Sequence, residues 1–294
     1  MDPKDLAPSR LALHRAVQLL AAFGQARVPR RDDDAHRSMT WDSSTRSLCS
    51  QADTGGTRLV LSLPRFRLAV TGAGGEEVAS LDLQGRTPAS CLAWTGSTLA
   101  SLDGAAVSPR GDPSPYGDAE EDQPLAEDQP LAWPEYEIPS RPKGDDAPLE
   151  PEAEALEELG RWYDNAWILL EEGMGLQEGM GPGVLWPHHF DLARLLRIPG
   201  PAGADGGDQA SVGLGFSPGD QADDIPYFYV NVWPAPEPEG LPSFEGPGHW
   251  NTRGWIGAVL PSSLVVELAE PSAQRDMVGS FLRSSVTALQ EMIS

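Results

Sequence analysis

Two stretches of the chain combine residue types that could do chemistry. The first, Trp186-Pro187-His188-His189-Phe190-Asp191, sets imidazoles beside a carboxylate. Read as extended chain its side chains alternate, so Trp186, His188, Phe190 and Leu192 share one face while His189, Asp191 and Ala193 share the other. A neutral imidazole two residues from a carboxylate on one face can chelate a divalent cation, with further ligands from Asp220, Asp223 or His249. Such a cation lowers the pKa of its bound water and supports hydrolysis. The metal set expected on this reading is His189, Asp191, Asp220 and His249. Without a metal, the same groups line a polar pocket or make structural hydrogen bonds.

The second stretch, residues 226–234, alternates Tyr227, Tyr229, Asn231 and Trp233 against Phe228, Val230 and Val232. The apolar set is core. The other is an aromatic face with polar handles, suited to stacking on a ring-shaped ligand and equally to cross-strand pairing. His249-Trp250-Asn251 adds the same residue types after a Gly/Pro-rich approach that reads as a loop. The candidate ligand-binding set is therefore His189, Asp191, Tyr227, Tyr229, Trp250 and Asn251. Gly215-Phe216-Ser217-Pro218-Gly219 matches the Gly-x-Ser-x-Gly of a nucleophile elbow, but Pro218 lacks the N–H that an oxyanion requires. Residues 217–220, Ser-Pro-Gly-Asp, read instead as a turn joining two strands.

The elements that must position these residues follow from periodicity. A helix is predicted from Ser9, as N-cap, to a stop at Gly24, with Leu13, Val17, Leu20 and Phe23 at helical spacing. Alternation then predicts strands near 39–41 and over 58–63, 66–70 and 78–83, with a hairpin turn at the 72–75 glycines, and a helix from Pro88 to about Leu102. Helical spacing returns over 155–170. Strands are expected over 184–192, 212–216, 227–233 and 255–260, and a last helix over 271–293. The 203–208 run lacks a calcium loop's ligands and reads as a connection.

Between the two halves the composition changes. Residues 103–158 hold 17 acidic and 3 basic residues and 10 prolines, the signature of a solvated linker, with Trp133 and Tyr136 placed to pin its far end to the body. Over the whole chain 44 acidic against 21 basic residues give a formal charge of −23, which repels phosphate backbones and anionic lipid and argues against nucleic-acid partners. No run approaches the ~18 apolar residues of a membrane span, the first residues lack a signal peptide's pattern, and Cys49 and Cys91 sit in core-like stretches. A cytoplasmic protein with reduced thiols is expected.

On these motifs the chain resembles a family of bacterial proteins of unknown function that carry Trp-Pro-x-His-Phe-Asp, Ser-Pro-Gly-Asp, Pro-Tyr-x-Tyr-Val and Trp-Asn. The matching residues are Trp186, Pro187, His189, Phe190 and Asp191; Ser217 to Asp220; Pro226, Tyr227, Tyr229 and Val230; and Trp250 with Asn251. Residues 9–14 and 85–87 are similar too, while His188 departs from the family's common glutamate. The resemblance implies an α+β protein and supplies no activity or cofactor.

The fold class expected is α+β, as two similar units of helix, multi-strand antiparallel sheet and helix over 1–104 and 151–294, joined by an acidic insert over 105–150. The leading functional expectation is a non-catalytic protein that binds a small molecule or a protein through the His/Asp/aromatic surface, with no cofactor. A metal-dependent hydrolase using His189 and Asp191, with a divalent metal as cofactor, is the first alternative. An interaction module that docks the acidic insert on a partner is the second.

Overall fold

The computed structural model of this chain describes residues 1–103, 131–136, 138, 146–171, 178–198, 210–220, 223–242 and 246–293. Most of the 105–150 insert and the 203–208 connection lie outside them. The fold is α+β, and the strand pairs described are antiparallel. Two compact units are present. Apart from the first few residues, unit one comprises Asp5–Arg161 with Val184–Phe190, and unit two comprises Trp162–Gly183 with Asp191–Ser294. The division thus falls inside a helix rather than in the acidic stretch.

Unit one is built on α1 (Ala7–Arg27). Its buried residues, among them Leu13, Ala16, Val17, Leu20 and Phe23, ring the whole helix instead of forming one stripe, as befits an interior helix. Ser9 does not cap it. The helix starts earlier, and the Ser9 hydroxyl accepts the Glu152 N–H at 2.9 Å. Nor does Gly24 stop it; the helix runs one turn further, and Gly24 instead permits close approach, because a Cβ there would meet the Arg37 Cα at 3.0 Å.

Strands β1 (Met39–Asp42), β2 (Ser47–Ser50), β3 (Arg58–Ser62), β4 (Arg67–Thr71), β5 (Glu77–Asp82) and β6 (Val184–Trp186) lie in the order β6-β1-β2-β3-β4-β5. Trp41, Leu48, Leu61, Leu68 and Leu81 are in register across them and bury one face, and β2 and β3 pack on α1. Helix α2 (Pro88–Asp103) packs beside α1, and Arg27 ties the two C-terminal ends through both oxygens of Asp103 at 2.6 Å. The far end of the acidic stretch is pinned to unit one, since the Tyr136 hydroxyl donates to Gln18 Oε1 at 2.8 Å.

The strand expected over 184–192 is broken. Pro187 has no N–H to donate, Phe190 adopts φ 59°, and the Phe190 N–H closes a turn on the Trp186 carbonyl at 2.8 Å. Strand β6 therefore ends at Trp186 and the next strand begins at Asp191.

Unit two receives the C-terminal part of α3 (Ala153–Glu171) and contains β7 (Asp191–Arg197), β8 (Ser211–Ser217), β9 (Tyr227–Trp233), β10 (His249–Asn251), β11 (Gly257–Pro261), α4 (Ser262–Val266) and α5 (Pro271–Ile293). The strand order is β10-β11-β9-β8-β7. Phe216, Phe228 and Leu260 are paired in register and buried; Trp162 stacks on Phe216 with centroids 5.9 Å apart, and Tyr163 meets it edge-on. On the same face Arg194, 3% exposed, donates to the Leu170 carbonyl at 2.7 Å and the Gly181 carbonyl at 2.9 Å, and pairs with Glu171 at 3.6 Å. Its charge is tolerated there because it serves the open Leu170 carbonyl at the end of α3 and the Gly181 carbonyl, and faces the Glu171 carboxylate. No described helix is long and apolar enough to cross a membrane.

Candidate functional site

Strand register sorts unit two's side chains onto two faces. The face opposite the apolar core carries Asp191 and Leu195 from β7, Gly213, Gly215 and Ser217 from β8, and Tyr227, Tyr229, Asn231 and Trp233 from β9. Ser217 pairs with Tyr227, Gly215 with Tyr229 and Gly213 with Asn231. Each β8 residue is small where its β9 partner is large. A Cβ at Gly215 would lie 2.7 Å from the Tyr229 hydroxyl oxygen and 2.6 Å from the Leu192 carbonyl, so the glycine is what lets Tyr229 lie flat across β8.

At one end of this face the tyrosines are locked. Tyr229 donates its hydroxyl to Asp191, and Tyr227 donates to Asp220 Oδ2 at 2.7 Å. Asp191 is only 8% exposed. Burial first, and then the Asp191 charge and its hydrogen bond, hold the Tyr229 hydroxyl well above the ordinary phenol range; burial and Asp220 do the same for Tyr227, with the Ser217 hydroxyl opposing. Both phenols are thus fixed as protonated donors. Ser217 ends β8, buried, and its hydroxyl accepts the Gly219 N–H at 3.2 Å. In the adjoining loop Asp220 Oδ1 accepts the Asp223 N–H at 3.0 Å, and burial together with the Asp220 charge raises the Asp223 carboxyl above its usual value.

The remaining sequence candidates are distributed differently. His249 and Asn251 fall on the polar face through their pairing with Val259 and Gly257. His249 is exposed, and Asn251 spends its amide on the Trp255 carbonyl at 2.6 Å. Trp250 pairs with Ala258, which pairs with Val230, and so belongs to the apolar face; its indole N–H donates to the Pro242 carbonyl at 2.9 Å. Trp255, not Trp250, lies against Tyr229, edge-on at 6.0 Å.

His189 sits exposed in the 187–190 turn of unit one, not on an extended strand face with Asp191. That turn is held from α1. His14 Nε2 donates to the Pro187 carbonyl at 2.8 Å, Gln18 Nε2 donates to the same oxygen at 2.7 Å, and the His14 ring stacks on Phe190 at 5.1 Å. Burial pushes both His14 and His188 down to about 4, so both are neutral near pH 7. Among the described residues no three of His, Cys, Asp or Glu are grouped so as to hold a metal ion.

Sequence reasoning placed Asn231 on the polar face without counting it among the ligand-binding candidates, and missed Ser217 and Trp255 as parts of that face. The signal for Ser217 was present, because Gly213, Gly215 and Ser217 alternate as strictly as the residues they face. Trp255 carried no such signal, since its place depends on a turn beyond β10. A scan against models of protein families gives no match, and comparisons with curated proteins and with solved structures likewise give none.

Proposed function

We propose that this chain is a non-catalytic binding protein that takes a small, uncharged, hydrogen-bonding molecule on the polar face of unit two. The supporting observation is the pair of neighbouring tyrosines, Tyr227 and Tyr229, each donating to its own aspartate. Phenols held protonated are poor proton acceptors, so the arrangement suits recognition rather than acid–base chemistry. Asp191 and Asp220 beside them, within a chain of formal charge −23, disfavour anionic ligands.

The test is a thermal-shift screen of neutral polar rings, amines and carboxylates against the parent and Gly215→Ala, whose new methyl displaces Tyr229. Neutral hits that disappear in Gly215→Ala are expected. Hits confined to carboxylates, or retained in full by the variant, contradict the reading.

A further inference from the structure

Where the polar face stays open, it presents a different set of groups from its locked end. Across the three central strands Leu195 pairs with Gly213, and Gly213 pairs with Asn231; two residues on, Ser211 pairs with Trp233. Leu195 is 40% exposed and Trp233 55%, so both offer apolar surface on this face. Asn231, two residues before Trp233 on β9, lies half-buried over Gly213, which separates it from Leu195, and its amide makes no hydrogen bond among the described residues. Tyr229, next on the same face, is already committed to Asp191.

A primary amide carries an N–H donor and a carbonyl acceptor side by side, and its natural complement is a partner edge with an adjacent acceptor and donor. An exposed indole and a leucine are apolar and suit a flat ring. Resting on the binding reading above, we propose that Asn231 is the specificity-determining residue of unit two's polar face, reading the amide-like edge of a planar ring that packs against Trp233 and Leu195. The ligand class is a neutral heterocycle with neighbouring N–H and C=O groups. The part-buried Tyr229–Asp191 pair holds the strands beneath it, and Asn231 and Trp233 meet the ligand.

The probes that test this are 2-pyridone, which has that edge, and 2-methoxypyridine, a similar ring that lacks the donor. The Asn231 side-chain NH2 and the Trp233 indole N–H are followed by NMR during titration of each. Saturable shifts of both signals are expected, with 2-pyridone binding about five-fold tighter, the worth of one neutral hydrogen bond. Asn231→Leu should erase that preference, and Trp233→Ala should weaken both probes about ten-fold through loss of stacking. Equal binding of the two probes to the parent, or a preference that survives Asn231→Leu, overturns the assignment without needing either variant to be well folded in the first case. A screening hit that depends on Tyr229 but ignores Asn231 and Trp233 also overturns it, while leaving the binding reading intact. Absence of any ligand on this face removes both.

Discussion

Tyr229 on β9 reaches across β8, over Gly215, and donates its hydroxyl to the Asp191 carboxylate at the start of β7. Three strands of unit two are therefore joined by one side chain. The bond is part-buried and its acceptor is charged, a class of hydrogen bond that contributes about 2 kcal/mol. Tyr229→Phe should lower stability to urea unfolding by about that amount, and Gly215→Ala, by driving a methyl into the same space, should cost about 2 kcal/mol as well. The double variant should cost less than the two losses together, since both remove one contact.

The strands around that contact were legible because their alternation is strict. Residues 227–233 were expected as a strand and form one with the same bounds, and the polar and apolar sets separate onto opposite faces. Trp250 was misread because a residue type alone does not say which face a short strand presents; its pairing with Ala258 does. Residues 184–192 looked like one strand because a local pattern cannot register that Phe190 adopts a left-handed conformation, fixed by α1 contacts from far away in sequence. Strand β2, four residues with serines at both ends, had too little apolar character to be seen. Helix α3 and the last helix were plain from spacing, whereas the end of α1 was not, because Gly24 serves close packing and not termination.

Alkaline titration reports on the buried phenols. Tyr136, Tyr227 and Tyr229 all have hydroxyls raised above the ordinary phenol value, chiefly by burial. An acid whose folded pKa is raised stays protonated after the unfolded chain has ionised, so its contribution is intact below about pH 10 and is lost as pH rises beyond it. Tyrosinate absorbance should show these residues ionising only together with unfolding. Their reversible ionisation at pH 10 in a folded protein would refute the placement.

Acid acts through His14. Burial pushes it down to about 4, below the ordinary imidazole value of about 6.5, so the stability it confers is complete above pH 6.5 and is lost as pH falls from there to about 4. The full loss amounts to about 3 kcal/mol. His14→Gln keeps a donor for the Pro187 carbonyl and cannot titrate. Urea midpoints measured from pH 7.5 to 4.5 should fall more steeply for the parent than for the variant; parallel curves exclude the proposed cause.

Arg194 makes a separate claim on unit two. Replacing it by Met leaves the Leu170 and Gly181 carbonyls without their buried donor and Glu171, which keeps the Gly183 N–H, without its charged partner, at a cost of about 3 kcal/mol. Hydrogen exchange should show the loss first in the last turn of α3 and in residues 178–183. Uniform loss across the chain would mean that Arg194 supports the core in general and not that junction.

The most direct test of the binding reading is an amide NMR map of the first neutral ligand to emerge from the screen. Perturbations are expected in Asp191–Arg197, Ser211–Ser217 and Tyr227–Trp233, strongest at Asn231, and they should vanish in Gly215→Ala. A map centred outside these three strands, or one unchanged by that substitution, contradicts the account.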